Sequence, residues 1–125
     1  IIQLHGDEDA KDFIDFPLPI WRALRCSDNI IKPTPEIWEA RRYIVDTFKK
    51  DSYGGTGQKC NWHKAAEIAK KKDIMLSGGI NSQNVSEAIK LVKPIGIDIS
   101  SGVEKSPGKK DKQKIIEIIK IIKGL

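Results

Sequence analysis

Short apolar segments recur along the chain, and each contains isoleucine, a β-branched residue that favours strands. They are mostly continuous runs rather than strict alternations, which is typical of strands buried on both faces of a parallel sheet. Polar or glycine-rich residues follow four of the five, so each of those strands is expected to end at a loop. The five segments are Ile1–Leu4, Ile20–Leu24, Tyr43–Asp46, Ile74–Leu76 and Ile95–Ile99.

Helix-like stretches separate the predicted strands. A helix is expected after Asp7–Asp9, because the helix dipole favours acidic residues in a first turn, and another around Pro35–Arg42. Strands and helices that alternate at intervals of about 20–30 residues predict βα units and a parallel sheet. The other candidate N-caps are Asn61 before Trp62–Ala69, Asn81 or Ser82 before the run through Val92, and Asp111 before the last helix.

The last helix is unusually apolar. Six isoleucines lie between Ile115 and Ile122, and only Glu117, Lys120 and Lys123 remain for water. This stripe predicts packing on the sheet or on a neighbouring helix, with a homodimer face as the alternative. Prolines predict a loop before the third strand, over Asp28–Pro35, and residues 105–114 are expected to form an ordered loop and a helix start.

Composition narrows the class of protein. A chain of 125 residues, 39% of them hydrophobic, suffices for one core, so residues 1–125 are expected to form a single domain. No segment reaches the roughly 18–20 apolar residues of a membrane span. Cys26 and Cys60 form neither a disulfide framework nor a metal motif, which indicates a reducing, cytoplasmic setting without a metal site.

Two further features bear on the class of partner and on the extent of the chain. The net charge of +5 is modest, and the lysines lack interleaved aromatic residues, so no nucleic-acid partner is expected. The chain opens on Ile1 and its single methionine is Met75, so we expect the sequence to be part of a longer protein.

Glycine and serine residues concentrate where two predicted strands end. Ser77-Gly78-Gly79 follows the fourth strand, and Ser100-Ser101-Gly102 follows the fifth. Parallel α/β proteins bind ligands at the carboxyl ends of their strands. Glycine lets backbone N–H groups approach a ligand and serine adds hydroxyl donors, so two adjacent loops of this kind could hold a phosphate. A Gly-Gly pair that serves only a tight turn is the alternative.

Several polar residues are candidates for chemistry at the same edge. Asp46 ends the third strand and could act as a general acid or base, or could cap a turn. Asp98 lies within the fifth strand, where a buried carboxylate is costly unless it is paired or meets a ligand. Gln3 and His5 point to one face of the first strand, although a histidine there is more often structural. Arg22, in the second strand, is a candidate charge partner for the inner carboxylates.

Taken in order, these motifs resemble those of the phosphoribosylanthranilate isomerases of tryptophan biosynthesis. The resemblance covers essentially the whole chain and departs at Cys60-Asn61, where Phe-Asp usually precedes the tryptophan; Asn61 can still cap the helix, so little consequence is expected. The matching motifs are Gln3-Leu4-His5-Gly6, Ile20-Trp21-Arg22-Ala23, Asp46-Thr47, Gly54-Gly55-Thr56-Gly57, Trp62, Leu76-Ser77-Gly78-Gly79-Ile80-Asn81, Asn84-Val85, Asp98-Ile99-Ser100-Ser101-Gly102-Val103-Glu104 and Pro107-Gly108-Lys109-Lys110-Asp111.

The resemblance implies an α/β protein of the (βα)8 TIM-barrel family. The motifs belong to strands four to eight of that barrel, so we expect an incomplete barrel that forms the C-terminal portion of the enzyme, because a whole barrel takes at least about 200 residues. The family catalyses an Amadori rearrangement of N-(5-phosphoribosyl)anthranilate, without a cofactor. An open, flavodoxin-like sheet that only binds a phosphate ligand is the alternative.

The resemblance also implies roles for individual residues. Asp46 is expected to be the general acid that protonates the ribose ring oxygen. The family's general base is a cysteine on the first barrel strand, and no such motif occurs here, so the chain alone is expected to be inactive. The expected substrate-binding residues are Gln3, His5, Arg22 and Asp98, and the expected phosphate-binding residues are Gly78, Gly79, Ser100, Ser101 and Gly102.

Overall fold

The computed structural model describes residues 1–27, 30–47 and 56–125. Within these residues, strands alternate with helices or short 3-10 turns along most of the chain. The strands are β1 (Ile2–Leu4), β2 (Ile20–Ser27), β3 (Ile30–Lys32), β4 (Arg42–Asp46), β5 (Ile74–Ser77), β6 (Gly96–Ile97), β7 (Glu104–Ser106) and β8 (Lys109–Lys110). The helices are α1 (Thr56–Ala69), α2 (Val85–Val92) and α3 (Lys112–Lys123).

The main sheet confirms the five predicted strands. In the described part of the chain, β1, β2, β4, β5 and β6 pair in that order, and every pairing among them is parallel. Each of these strands therefore pairs with its neighbour along the chain, as in an arc of a barrel. A flavodoxin-like sheet would reverse its order after the first unit, so that sheet order is wrong for the described strands, whereas a module that only binds a phosphate ligand stays a prediction.

The two faces of this sheet differ in how well they are covered. Leu24, Val45 and Leu76 are in register on one face and are fully buried under the helices. On the opposite face, Ala23 and Met75 flank Ile44 in register and stay half-buried. The core therefore lies between the sheet and the helices, as it does on the outer side of a barrel.

Two small β elements were not predicted. β3 pairs antiparallel with the end of β2, inside the segment predicted to be a loop. β7 and β8 form a separate hairpin from Glu104 to Lys110, mostly within residues 105–114, where an ordered loop and a helix start were expected. Gly108 has a φ of 76° between these strands, and glycine adopts that conformation without strain.

Two predicted helices are only short turns. The acidic segment leads into a 3-10 turn over Ala10–Phe13, in which the Asp9 side chain accepts a hydrogen bond from Lys11 N. The stretch around Pro35–Arg42 forms a 3-10 turn over Pro35–Ile37 only. Pro17 and Pro19 follow the first turn, and only four residues separate the second turn from β4, so neither place has room for a longer helix.

The predicted caps have different outcomes. Asp111 caps α3 as predicted and accepts hydrogen bonds from Gln113 N and Lys114 N. Asn61 is not a cap, because α1 begins five residues earlier, at Thr56, and Asn61 is buried inside the helix. α2 begins after Asn84, later than Asn81 or Ser82 would place it.

The isoleucine side chains of α3 are only partly buried. Ile118 is buried, whereas Ile119 is 44% exposed. The packing on a neighbouring helix is therefore real but incomplete, and the homodimer face stays a prediction. No helix in the described part of the chain is long and apolar enough to cross a membrane.

Candidate active site

A cavity of about 200 Å³ lies at the carboxyl ends of β4, β5 and β6. Parallel strands bring their carboxyl ends to one edge of a sheet, so residues that are far apart in sequence meet there. This volume is smaller than the roughly 300–1,000 Å³ of pockets for drug-sized ligands and suits a group such as phosphate. The cavity is lined by Asp46, Ser77, Gly78, Gly79, Ile80, Asp98, Ser100, Ser101 and Gly102.

Asp46 is held at the cavity by the residue that follows it. Thr47 is fully buried, and its backbone N and its Oγ1 both donate to Ser77 O at 3.1 Å. The carbonyl oxygen of Thr47 accepts from Nδ2 of the buried Asn61 at 3.3 Å. The end of β4 is thus fixed to the end of β5 and to α1, and half-buried Asp46 lines the cavity there.

Gly78–Gly79 and Ser100–Gly102 form two adjacent loops, which we call the cradle loops. Gly78 and Gly79 have φ angles of 94° and 66°, which other residues adopt only with strain. The Asn84 side chain fixes the first cradle loop, because its Nδ2 donates to Gly79 O at 2.9 Å. The backbone conformation therefore favours glycine at both positions, whether or not a ligand binds there.

The second cradle loop packs directly on the first. A Cβ atom added at Gly102 would overlap the carbonyl oxygen of Ile80 and would lie 2.9 Å from the Ile80 carbonyl carbon. Only glycine fits between the loops at this separation. The glycine and serine residues of both loops therefore line the same small cavity, and such residues are suited to an anion.

The other predicted site residues lie in different places. Asp98 lines the cavity, but it follows the end of β6 and is exposed, so the predicted buried carboxylate is wrong. Gln3 is exposed on the face of the sheet that carries Asp46. His5 lines a separate cavity of about 470 Å³, together with Arg22 and Arg25.

Arg22 does not act on the inner carboxylates. It lies on the helix-covered face of β2, buried, and its Nη1 donates to Glu8 Oε2 at 2.6 Å. Its Nη2 donates to Gly6 O at 2.8 Å, and the guanidinium stacks 4.5 Å from the Trp38 ring centroid. The partial burial of Glu8 raises its pKa, but hydrogen bonds from the backbone and Arg22 outweigh that effect and lower the pKa overall. Arg22 therefore stabilises the packing on the helix-covered face of the sheet, through Glu8, Gly6 and Trp38.

Sequence reasoning missed three residues that shape the site. Thr47 and Asn61 anchor the end of β4, and Lys110 contacts the second cradle loop, donating to Ser100 O at 3.0 Å. Thr47 and Lys110 both belong to the motifs that carry the family resemblance, but a motif does not show which atoms form hydrogen bonds in the folded chain. Gly54 and Gly55 lie outside the described residues, and Thr56–Gly57 form the start of α1.

The cavity combines carboxylates with neutral donors. Asp46 and Asp98 line the same cavity of about 200 Å³ as the glycine and serine residues of the cradle loops, and a carboxyl group is a residue type that can transfer protons. Among residues 1–27, 30–47 and 56–125, no group of three or more His, Cys, Asp or Glu side chains is placed to hold a metal ion.

Solved structures share this fold. The phosphoribosyl anthranilate isomerase of Thermococcus kodakaraensis superposes with a TM-score of 0.79 at 29% identity, covering 98% of this chain and 63% of that one. Another isomerase, solved in complex with reduced 1-(o-carboxyphenylamino)-1-deoxyribulose 5-phosphate, has a TM-score of 0.71 at 30% identity and covers 98% and 59%. The protein therefore has a TIM-barrel-like α/β fold with a mostly parallel sheet.

Sequence comparison agrees with the structural likeness. The N-(5'-phosphoribosyl)anthranilate isomerase of Aquifex aeolicus is 44% identical over 127 residues, which cover 99% of this chain and 61% of the relative. The chain thus spans about three fifths of the length of the curated relatives that it matches. The family model for N-(5'-phosphoribosyl)anthranilate (PRA) isomerase matches residues 1–121. The chain belongs to the N-(5'-phosphoribosyl)anthranilate isomerase family.

Proposed function

We propose that this chain supplies the general acid and the phosphate site of an N-(5-phosphoribosyl)anthranilate isomerase of tryptophan biosynthesis. The observation that carries the proposal is the single cavity in which Asp46 meets both cradle loops. We further propose that β1, β2, β4, β5 and β6 correspond to strands four to eight of the family's barrel. Their order along the sheet and the share of its relatives that the chain spans support this correspondence.

The proposed chemistry is an isomerisation in which one proton is added and one is removed. Asp46 gives its proton to the ribose ring oxygen, the bond from that oxygen to C1′ breaks, and the nitrogen lone pair forms a C1′=N double bond. A base then takes the proton from C2′, the electrons of that C–H bond form a C1′=C2′ double bond, and the electrons of the C1′=N bond return to nitrogen. A proton added to C1′ and the loss of the C2′ hydroxyl proton give the aminoketose, so no external oxidant, reductant or cofactor is consumed.

The substrate phosphate is proposed to bind between the cradle loops. The backbone N–H groups there and the Ser100 and Ser101 hydroxyls would act as neutral donors, while Asp98, exposed at the cavity mouth, would lie near the ribose. Gln3, on the sheet face that carries Asp46, is proposed to face the ribose or anthranilate, and His5 is proposed to do so from the separate cavity that it lines. The ligand of the solved relative also carries a 5-phosphate.

The general base is proposed to come from outside these 125 residues. In the family it is a cysteine on the first barrel strand. Cys26 is a poor substitute, because burial raises its pKa to about 11 and its Sγ contacts the Asn61 carbonyl and amide oxygens rather than the cavity. The chain alone is thus expected to bind phosphate ligands without catalysing the reaction, as a binding module would.

A reconstitution experiment tests this proposal. The purified chain is assayed with N-(5-phosphoribosyl)anthranilate alone, and then mixed with a fragment carrying the first three βα units of the Aquifex aeolicus relative. We expect turnover only in the mixture. Asp46→Asn should lower that rate by at least about 10²-fold, the scale of one acid–base contribution. The exposed Asp73, at the opposite end of β5, provides the matched control Asp73→Asn, which should change the rate by less than about twofold.

Two results would contradict parts of the proposal. Turnover by the 125-residue chain alone, abolished by Asp46→Ala, would show that a base is present within it. A reconstituted Asp46→Asn variant that keeps most of its rate would remove Asp46 from the mechanism. Titration of inorganic phosphate tests the cradle separately, because Gly79→Asp places a carboxylate at a positive φ angle beside the anion and should abolish binding.

A further inference from the structure

The β7–β8 hairpin follows the second cradle loop and brings Lys110 back onto it. The Lys110 ammonium donates to Ser100 O at 3.0 Å, to Ser100 Oγ at 3.3 Å and to Glu104 Oε1 at 2.7 Å. An ammonium has three N–H donors, so these three acceptors use all of them. Lys110 therefore holds the main chain and the side chain of Ser100 together.

We propose that Lys110 is a positioning residue that aims the Ser100 hydroxyl into the phosphate cavity. The inference rests on the proposed function, in which this cavity holds the substrate phosphate. A serine hydroxyl carries one hydrogen and two lone pairs. Because Lys110 donates to Oγ, the hydroxyl hydrogen is left for another acceptor, and Ser100 lines the cavity.

A bound phosphate oxygen supplies that acceptor. A hydroxyl whose lone pair is already occupied by an ammonium is a stronger donor, because hydrogen bonds in a chain polarise one another. Its rotation is also restricted before the ligand arrives, which lowers the entropy lost on binding. Both effects act through Ser100 and require no contact between Lys110 and the phosphate.

Glu104 keeps the ammonium in this position. Its side chain is 15% exposed, its Oε2 accepts from Gly108 N at 3.3 Å and its carbonyl oxygen accepts from Lys114 Nζ at 2.6 Å. The hydrogen bond from Lys110 lowers the pKa of Glu104, which favours the ionised form that the ion pair needs. The two opposite charges largely cancel at a distance, so the effect of Lys110 on a phosphate differs from that of an unpaired cation.

Lys109 provides a matched control. It precedes Lys110 in the same strand, carries the same charge and is exposed. If charge near the cavity were the cause, Lys109→Met and Lys110→Met would weaken phosphate binding to similar degrees. If positioning is the cause, only Lys110→Met should do so, and Lys110→Arg should recover most of the affinity because a guanidinium can donate to several acceptors.

The experiment titrates inorganic phosphate into the full 125-residue chain and follows the amide signals of the cradle loops by NMR. We expect Lys110→Met and Ser100→Ala each to weaken binding by about tenfold, the scale of one hydrogen bond to a charged ligand. Because Lys110 acts through Ser100, the double variant should bind no more weakly than Ser100→Ala. Thermal unfolding serves as the folding control, with Lys110→Met within about 3 °C of the unmodified chain, since its ion pair is half-exposed.

The outcomes separate this inference from the proposed function. If the unmodified chain shows no phosphate-dependent shifts of the amide signals in the cradle loops, both the proposed phosphate site and the proposed role of Lys110 are wrong. If the chain binds phosphate there but Lys110→Met binds equally well, only the inference is overturned. Losses that multiply in the double variant, or an equal loss in Lys109→Met, would also overturn it, because both would indicate a direct effect of charge.

Discussion

Gly102 is the residue whose replacement should separate the two cradle loops most directly. Gly102→Ala adds one methyl group, which would overlap Ile80 O and lie 2.9 Å from the Ile80 carbonyl carbon and 3.2 Å from Asn81 Cα. Cβ atoms essentially never come within 3.0 Å of another heavy atom. The obstructing atoms belong to backbone, so no side-chain rotation relieves the overlap, and one loop must move by about 1 Å.

This movement should affect both stability and binding. Overpacking of this kind costs about 1–3 kcal/mol, which for a chain of this length corresponds to a fall in Tm of roughly 4–12 °C. Phosphate affinity should fall by at least about tenfold, because the N–H groups of the two loops no longer converge on one anion. Thermal unfolding followed by circular dichroism and phosphate titration followed by NMR measure the two effects.

Gly124→Ala is the matched control for this change. A Cβ atom there would meet its nearest neighbour, Lys120 O, at 3.4 Å, which is an ordinary contact, and Gly124 lies after α3 and outside the lining of the cavity. We expect its Tm to change by less than about 2 °C and its phosphate affinity to stay the same. A Gly102→Ala variant that matches this control in both measurements would refute the reasoning from loop contact.

Three further predictions concern buried groups away from the cradle loops. Glu8→Gln should lower the free energy of unfolding by about 1–3 kcal/mol at pH 7, because it weakens the partner of the buried Arg22. Folding lowers the pKa of Glu8 below 4.5, so the loss of stability in Glu8→Gln should be complete above pH 4.5 and should vanish as the pH falls through the folded-state pKa. A loss of stability in urea unfolding that does not depend on pH would contradict this prediction. Asn61→Leu removes the donor to Thr47 O and leaves that buried carbonyl oxygen without this partner, which should cost about 1–3 kcal/mol, and unchanged urea unfolding would disprove the contact. Cys26, whose pKa burial raises to about 11, should resist alkylation at pH 8 in a Cys60→Ser background until the chain is unfolded, and rapid labelling of the folded chain would refute its burial.

The sequence predicted those features that depend on local pattern. The five parallel strands followed from short apolar runs at regular spacing, and the cradle loops followed from glycine and serine at the strand ends. Asp111 capped its helix because the capping signal lies within four residues of the atoms that it satisfies. Each of these features is specified by residues close together along the chain.

The features that sequence reasoning missed depend on contacts between distant segments. Arg22 faces Glu8 on the covered side of the sheet, and only the register of β2 decides which side that is. Asn61 looked like a cap, yet its partner is Thr47, 14 residues earlier, across the interface between helix and sheet. The Lys110 contact needed an unpredicted hairpin, whose two short strands carry almost no apolar pattern.

The order of strands in the main sheet has a consequence for how the protein assembles. Every pairing among the parallel strands joins neighbours along the chain, so each βα unit can add to the one before it as it leaves the ribosome. When strands pair in the order of their synthesis, no strand waits unpaired for a partner far along the chain. Such waiting makes parallel sheets slow to fold and prone to aggregate. Among the described strands, β5 and β6 are added last and carry the cradle loops, so competence to bind phosphate should arise only after both have joined the sheet.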